Sequence, residues 1–415
     1  MKTFTVIVIG AGNRGYDAYG SYILKNPHKI KAIGVVDPDP IKRERFAKTH
    51  NIDKMYTFSS YDEFFEKEKI ADAVIIATPD MLHVEPAVKA LKKGYHILLE
   101  KPIAPNVEGI REIYEAYKNS NSLVVVAHVL RYTSFFRKIK ELIEKEVIGK
   151  LIGINLVENV GFFHYAHSFV RGNWRNTYIS APFILAKSCH DMDILYWLVE
   201  SNALFVSSFG ELTYFKRENA PKDALERCIW GCKVDCPYDA RKIYLGDYIG
   251  WPVSVISSDL SLQGRIKALE ESNYGKCVYY SDNNVVDHQI SNILFEDGKM
   301  ATLTVTAFTD KITRRIYLYG TQGEIYGDLI SGEIRVSIFG KSEDIIKIDV
   351  RGGHGGGDQG IMDSFVEMLE TGEKPITSLE YSIESHAMAL SAEESRKRNG
   401  EPVKVEDIRR KIRGE

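Results

Sequence analysis

The chain is short of the features that would place it in several functional classes. No run approaches the ~18 consecutive apolar residues that a membrane span needs, so no membrane partner is expected. Charge of one sign is not in excess: 54 Lys and Arg against 57 Asp and Glu leave a formal net charge of −3. That balance gives no broad attraction to nucleic acid or to an anionic membrane surface. Cysteine is scarce, five in 415 residues, and a chain of this length can bury real cores without covalent staples, which fits a reducing compartment. Internal repeats and low-complexity tracts are missing as well. The first core strand begins about four residues in, leaving no room for a secretory signal, and the expected location is the cytoplasm. What remains is an ordinary globular composition, 44% hydrophobic and 27% charged, with length for two domains.

The most informative segment is Thr5–Gly15, Thr-Val-Ile-Val-Ile-Gly-Ala-Gly-Asn-Arg-Gly. A GxGxxG spelling alone is weak, but here it follows a β-branched run and precedes a segment able to start a helix. Gly10 permits the tight turn, Gly12 lets the backbone approach a pyrophosphate, and Gly15 lets the helix pack close to the strand. Asn13 and Arg14 lie in the same loop, where free N–H groups at a helix start favour phosphate. A second apolar run, Ile30–Val36, ends in Asp37, 22 residues after Gly15. A carboxylate there accepts hydrogen bonds from ribose hydroxyls and repels a 2′-phosphate, so NAD is expected over NADP. Lys42 and Arg43 weaken that preference without reversing it.

Strands and helices alternate through the first third. Strands are predicted at Ala73–Ala77, His96–Leu99 and Leu123–Ala127, and helices at Tyr61–Lys67, His83–Lys93 and Val107–Lys118. This βαβ rhythm implies a doubly wound parallel sheet with its ligand at the C-terminal strand ends. The fold class is therefore α/β, with residues 1–130 as the dinucleotide-binding domain and 131–415 as a second domain. In that second part a linking helix, Phe135–Glu146, leads into long strand-like runs: Leu151–Val160, Ala203–Phe215, Gln289–Phe295, Met300–Phe308, Arg314–Tyr319, Glu324–Asp328, Ile334–Ile338 and Ile345–Val350. Asp297-Gly298 marks a hairpin, so the sheet should be largely antiparallel. A helix near Cys189–Val199 interrupts it. Residues 213–285 read as a turn-rich, cysteine-containing insertion, and 378–399 as a C-terminal helix.

His96–Leu99 ends in Glu100-Lys101-Pro102, which puts Glu100 and Lys101 beside the cofactor cleft. A cation there lowers the pKa of a substrate hydroxyl and stabilises developing alkoxide charge. Together with the glycine loop, Ala77-Thr78-Pro79 with His83 four residues on, and a later His-Asp-Met-Asp, this chain resembles the glucose–fructose oxidoreductase/inositol dehydrogenase (Gfo/Idh/MocA) family over nearly its whole length. The resemblance implies a Rossmann domain followed by a C-terminal α/β domain with an open, mostly antiparallel sheet. It implies NAD(P)-linked redox chemistry, commonly on sugars or cyclitols, and homodimers or homotetramers built on that sheet. By the same motifs Lys101 matches the active-site lysine, Thr78, Pro79 and His83 the cofactor-proximal loop, and His190 the catalytic histidine. Asp193, at i+3 from His190, is placed to orient the imidazole, which near its ordinary pKa takes a hydroxyl proton at neutral pH. Many members carry an Asp four residues before that histidine; here Ala186 stands there, flanked by Lys187 and Cys189. Lys187 is the candidate replacement for the missing Asp.

Glu158–Asn176 is dense in chemistry. Glu158, His164, Tyr165, His167, Arg171, Trp174 and Arg175 suit a polyhydroxylated or anionic substrate, since rings stack on sugar C–H faces and guanidinium forks bind oxygens. A glycine loop at 352–357 suits either a mobile lid or a close reach between domains, and its His354 is a site candidate. Cys228, Cys232 and Cys236 recur at four-residue spacing and Cys277 follows. Structural zinc, an iron–sulfur cluster, and unligated or disulfide-forming thiols are all compatible with that pattern. Cys189 reads as a small core residue.

Three functions follow from these residues. The leading one is an NAD-dependent dehydrogenase of a sugar, sugar derivative or cyclitol, with His190 as general acid/base and Lys101 on the oxygen. The second is an NAD-dependent glycosidase using transient oxidation and elimination, with Tyr165 or His167 as the extra base. The third is a non-catalytic NAD-binding sensor, against which Lys101 and His190 argue.

Overall fold

The computed structural model describes residues 2–341 and 343–415. The first six strands are β1 (Phe4–Ile9), β2 (Ile30–Val36), β3 (Thr57–Phe58), β4 (Ala73–Ile76), β5 (His96–Leu99) and β6 (Val124–Val126). They form one parallel sheet in the order β3-β2-β1-β4-β5-β6. Helices on both faces bury it, so its strands read as unbroken apolar runs rather than alternations; Val6, Ile7, Val8 and Ile9 are all sealed from solvent. The strand order reverses between β1 and β4, and the crevice of such a sheet opens there, beyond the carboxyl ends. Gly10, Ala77 and Glu100 are the residues that leave β1, β4 and β5 at that edge. Local chemistry starts the helices: Asp39 caps Pro40–His50, with proline at its first position, and Asn106 caps Val107–Lys118.

The remaining strands are β7 (Leu151–Asn159), β8 (Ala203–Glu211), β9 (His288–Phe295), β10 (Met300–Thr306), β11 (Thr313–Gly320), β12 (Gly323–Asp328), β13 (Glu333–Ile338), β14 (Glu343–Lys347) and β15 (Val403–Lys404). They build a nine-stranded sheet in the order β14-β13-β12-β11-β7-β10-β9-β8-β15. Every pairing is antiparallel except β10 with β7. The Asp297-Gly298 turn joins β9 to β10, with Gly298 at φ +84°. Here the strands alternate buried and exposed residues, because one face packs on the helices Cys189–Val199 and Leu379–Lys397 and the other is open. The open face carries Phe205, Phe209, Ile290, Leu294 and Tyr317.

Some expectations need correction. The strand predicted to reach Phe215 stops at Glu211, because the buried Asp287 carboxylate takes the N–H groups of Thr213 and Tyr214 and draws the chain off the ladder. The last predicted strand, Ile345–Val350, is instead Glu343–Lys347. The insertion is less irregular than its composition implies. It holds the helices Ala240–Tyr244, Val253–Ile256 and Leu262–Glu271, packed on a satellite cluster of Cys228, Ala240, Tyr244, Val253, Ile256 and Leu269. The two-residue edge strands β3 and β15 and the closing helix Val405–Arg413 are too short or too polar in sequence to be foreseen. No described helix is long and apolar enough to cross a membrane.

The link from the first sheet to the second layer runs through a buried ion pair. Arg131, in the turn Val129–Tyr132 after β6, donates through Nε to Asp193 Oδ2 and through Nη2 to Oδ1, both at 2.6 Å. Its Nη1 donates to the Ile376 carbonyl at 3.1 Å, and its guanidinium lies 4.1 Å over the Tyr381 ring. Removing one partner strands the other as an unpaired buried charge. Arg131→Met should therefore cost about 3–5 kcal/mol in urea unfolding. Arg131→Met combined with Asp193→Leu should lose much less; a single variant within about 1 kcal/mol of the parent would refute this reading.

Candidate active site

The cofactor end is built from backbone. Gly10 sits at φ +95°, and a Cβ on it would meet the Ala77 carbonyl oxygen at 2.6 Å. A Cβ on Gly15 would fall 1.9 Å from the Gly10 carbonyl oxygen, so the helical turn that begins at Asn13 lies as close to β1 as the chain allows. A Cβ on Gly12 would meet nothing within 4 Å; its backbone faces open space at a helix start, where N–H groups await an anion. Asp37 ends β2 beside this loop. Its Oδ2 accepts from Ala11 N at 2.7 Å, its Oδ1 from Asp39 N at 2.9 Å, and Arg43 donates to its carbonyl oxygen. This turn, helix start and carboxylate fit a dinucleotide with an unphosphorylated ribose.

Several side chains expected at the cofactor instead hold the loops that frame it. Asn13 bonds its own helix through Asp17, 2.8 Å away. The Arg14 guanidinium is committed to Glu100 Oε1 at 2.5 Å and Asp358 Oδ1 at 2.9 Å. Glu100 is buried, with Oε1 also taking the Tyr19 hydroxyl and Oε2 the Lys101 N–H at 3.2 Å. It is a buried anchor for Arg14 rather than a group facing a ligand. His83 is fully buried, its ring strapped between the carbonyls of Pro102 (Nδ1, 2.7 Å) and Thr78 (Nε2, 2.9 Å). It fixes the Thr78-Pro79 loop against the end of β5. Thr78 Oγ1 closes the same loop on the Leu82 carbonyl.

Lys101 crosses from the end of β5 to the second layer, where its Nζ donates to the Ala186 carbonyl at 2.8 Å. That contact brings it beside the start of the Cys189–Val199 helix and hence beside His190, which is 6% exposed. Burial first, then the charge of Lys101, hold His190 well below the ordinary imidazole range, so at neutral pH it is a neutral imidazole. Its Nδ1 is buried and has no hydrogen-bond partner among the described residues. The orienting role expected of Asp193 is not what the structure shows: the i+3 spacing points Asp193 into the Arg131 guanidinium, and both its oxygens are used there. Around His190 stand two other imidazoles, His128 at 5.8 Å and His354 at 6.3 Å between ring centroids. His354 arrives on the glycine loop, at φ +49°, and its Nδ1 is 3.0 Å from Asp358.

Lys187 enters the same space. Its Nζ is 3.0 Å from Glu158 Oε1 at the end of β7. Glu158 Oε2 in turn meets Arg314 Nη2 at 2.9 Å, and Arg314 Nε meets Asp191 Oδ1 at 2.7 Å. Register explains the assembly, because Glu158 and Arg314 are paired neighbours on β7 and β11. Burial lowers the Lys187 pKa despite Glu158, and burial raises Asp191 to about 6 despite Arg314. Arg314, Asp191 and His128 were missed from sequence. The Arg-Arg pair inside an otherwise apolar strand was the available signal for the first.

The segment 158–176 divides. His164 faces the site: burial first, then the charge of Lys187, depress its pKa, and Trp251 of the insertion packs on its ring at 4.8 Å. Trp174 donates Nε1–H to Asp80 at 3.0 Å, tying the segment to the Thr78-Pro79 loop. Arg175 pairs with Asp282 at 2.8 Å. The other three candidates are corrected. Tyr165 is fully buried among Phe169, Phe183 and Phe215 and donates to the Val286 carbonyl. His167 is buried with Nδ1 2.8 Å from the Tyr244 hydroxyl. Arg171 is 1% exposed and grips the carbonyls of Lys276 and Tyr238 at 2.7 Å. A helix through Phe162–Arg171 turns these three inward. Cys189 is a buried thiol held up at about 12 by its surroundings, chiefly burial. Cys228, Cys232, Cys236 and Cys277 are free thiols that line a single cavity. They do not stand at ligand spacing: among the described residues no group of three or more His, Cys, Asp or Glu side chains is set to hold a metal.

Comparison with known proteins places this geometry. The oxidoreductase family model for the NAD-binding Rossmann fold of Gfo/Idh/MocA proteins matches residues 4–128, and that for the family's C-terminal alpha/beta domain matches residues 140–405. The oxidoreductase YteT of Bacillus subtilis is 24% identical over 415 residues, 93% of each chain. The 2,7-anhydro-N-acetylneuraminate hydratase of Mediterraneibacter gnavus is 28% identical over 159 residues, which span 38% of this chain and 40% of that protein. The solved structure of levoglucosan dehydrogenase in complex with NADH and L-sorbose shares the fold, with a TM-score of 0.72 at 17% identity over 98% of this chain and 99% of that one. The chain belongs to the Gfo/Idh/MocA oxidoreductases, an NAD-binding Rossmann fold followed by the family's C-terminal α/β domain.

Proposed function

We propose that this chain is an NAD-dependent dehydrogenase of a sugar, sugar derivative or cyclitol, moving hydride between a carbinol carbon and the nicotinamide. The observation that carries the reading is the convergence of Lys101, from the C-terminal edge of the parallel sheet, on the helix that bears a buried neutral His190. NAD, when bound, supplies the hydride acceptor. The rest is the work of side chains. His190 takes the hydroxyl proton on oxidation and returns it on reduction. Lys101 stabilises the oxygen as negative charge develops, in a site dry enough for that charge to count. Lys187 and Arg314, each balanced by Glu158, offer cations to hydroxyl or carboxylate groups of the substrate, with His164 and Trp251 beside them. Asp37 favours NAD over NADP. A protein of the same fold, levoglucosan dehydrogenase, is crystallised with NADH and L-sorbose, which supports the reading.

A second reading keeps oxidation but makes it transient, with elimination or hydration following at the neighbouring carbon. The hydratase relative favours it. Tyr165 and His167, the bases expected for such a step, are unavailable in the packing described above.

The deciding assay follows absorbance at 340 nm with NAD and a panel of sugars, sugar acids, cyclitols and aryl glycosides, reading released aryl alcohol in the same wells. Net NADH is the expected result; aryl-alcohol release without net NADH would replace the dehydrogenase by the second reading. On the active substrate, Lys101→Met and His190→Asn should each lower kcat/KM by about 10²–10⁴-fold. Calorimetry should show NAD still bound, and variants with undiminished turnover would sink the assignment.

Neutral imidazoles also fix a pH dependence. Burial holds His128, His164 and His190 well below the ordinary range and His167 at about 3. Below pH ~6.5 the unfolded chain binds protons that the folded chain refuses, so stability falls as pH falls. Two buried carboxyls oppose this, Asp191, raised to about 6, and Asp193, also raised by burial, against a larger set of depressed imidazoles. The urea midpoint should drop between pH 7.5 and 5.5, and a flat or rising profile would contradict the neutral assignment.

The open apolar face of the nine-stranded sheet is read as the surface on which copies of the chain pair into a dimer or tetramer. Light scattering at micromolar concentration should give a multiple of the 47.0 kDa chain mass; a monomer would remove this reading.

A further inference from the structure

We infer that His128 is the positioning residue of His190, holding it as the Nδ1–H tautomer so that Nε2 carries the lone pair that takes the substrate proton. The inference deepens the proposed function and rests on His190 as its acid/base group.

Proton positions behind the site follow from backbone groups whose roles are fixed. The Ser382 carbonyl can only accept, so His386 Nδ1, 2.8 Å away, carries a proton. The Ile103 N–H can only donate, so His386 Nε2, at 2.9 Å, is bare. Ser385 has one hydroxyl proton, and the Ser382 carbonyl takes it at 2.9 Å. Toward His128 Nε2, 3.4 Å away, the Ser385 oxygen therefore accepts. His128 is thus protonated at Nε2. Burial first, then the charge of Arg131, hold its pKa well below the ordinary range. It has a single ring proton, and its Nδ1 is a lone pair.

That lone pair is buried without a hydrogen-bond partner among the described residues, and so is His190 Nδ1. Two orphaned nitrogens on neighbouring rings ask for each other. The ring centroids are 5.8 Å apart and the planes cross at 81°. Imidazoles bonded nitrogen to nitrogen at ordinary length have centroids about 5 Å apart. Crossed planes are no obstacle, because each N–H and each lone pair lies in its own ring plane. A small settling of the rings, or one bridging water, completes a bond from His190 Nδ1–H to His128 Nδ1. Other neighbours are unsuited. Lys101 and Arg314 only donate, Asp193 is spent on Arg131, and the half-exposed His354 has its own carboxylate in Asp358.

The fold makes this placement natural. His128 immediately precedes the Val129–Tyr132 turn, whose Arg131 grips Asp193 on the helix of His190. The helix Leu379–Lys397, which supplies Ser382, Ser385 and His386, packs on that same helix. Arg131 thus sets the helix, and His128 sets the ring. A neutral acceptor adds no negative charge, so it orients His190 without raising the pKa as a carboxylate would.

The experiment uses the full chain with nitrogen-labelled histidine and records two-bond proton–nitrogen spectra at neutral pH. His190 should be protonated at Nδ1 and His128 at Nε2, with signals assigned by their loss in His190→Asn and His128→Phe. In His128→Phe the ratio of the Nδ1–H to the Nε2–H form of His190 should fall several-fold. A parent His190 protonated at Nε2, or one whose tautomer ignores His128→Phe, would overturn the inference. Should His128→Phe fail to fold, the tautomers of the unmodified chain still decide it, with His128 then assigned through His128→Asn. On the substrate found by the absorbance panel, His128→Phe should lower kcat about tenfold or more with KM near the parent value. His128→Asn, which returns an acceptor oxygen near the place of Nδ1, should recover part of that loss; equal kcat in the two variants would reduce His128 to packing and overturn its role. The spectra need no turnover. A chain that oxidises nothing yet holds these tautomers would refute the dehydrogenase and leave the assignment of His128 in place.

Discussion

The buried Arg131–Asp193 pair is the contact on which the arrangement of the site depends. It leaves the last strand of the parallel sheet and seizes the one helix that carries His190. Both groups are about 1% exposed, so the pair holds only while its geometry is exact enough to repay desolvation. That demand is also its use. A guanidinium that must meet a carboxylate bidentately, a backbone carbonyl and an aromatic face at once admits one position of the helix. Lys101 then needs only its own length to reach the Ala186 carbonyl, and the cation and the imidazole arrive together. Asp193 therefore acts at the level of architecture. It places the histidine through the helix, without touching the ring.

Charge inside the site follows from the same economy. Three cations, Lys101, Lys187 and Arg314, share the pocket with two carboxylates, Glu158 and Asp191. Under that surplus of positive charge, burial keeps the imidazoles of His128, His164 and His190 neutral. A neutral imidazole is the form that accepts a proton, and a positive surround is the form that tolerates an alkoxide. The two requirements of alcohol oxidation are thus met by one electrostatic condition.

How much of this was legible in the sequence depends on how local each feature is. The glycine turn, the Asp37 carboxylate, the β-strand and helix order of the first sheet, and the hairpin at Asp297-Gly298 were readable, because turn chemistry and periodicity act over a few residues. Lys101 and His190 were singled out by motif and position, and the structure brings them together. What misled was the assumption that chemically rich residues face the cleft. Tyr165, His167 and Arg171 lie on a helix whose inward face a sequence window cannot assign, since the partners that bury them, Phe215, Tyr244 and Lys276, come from 50 to 105 residues away. Arg314 was missed for the complementary reason: its value lies in cross-strand register with Glu158.

The two ends of the site are held to different standards, and this explains why the cofactor is easier to name than the substrate. At the cofactor end, contacts are made to the backbone, with Gly15 packed against the Gly10 carbonyl and the His83 ring strapped between two carbonyls. Few sequences satisfy such geometry, so it is recognisable. At the proposed substrate end the wall is borrowed from an insertion, through Trp251 on His164. An insertion with a small core of its own can change its side chains without disturbing either sheet. Specificity is therefore written where the fold constrains sequence least, and the chemistry where it constrains it most.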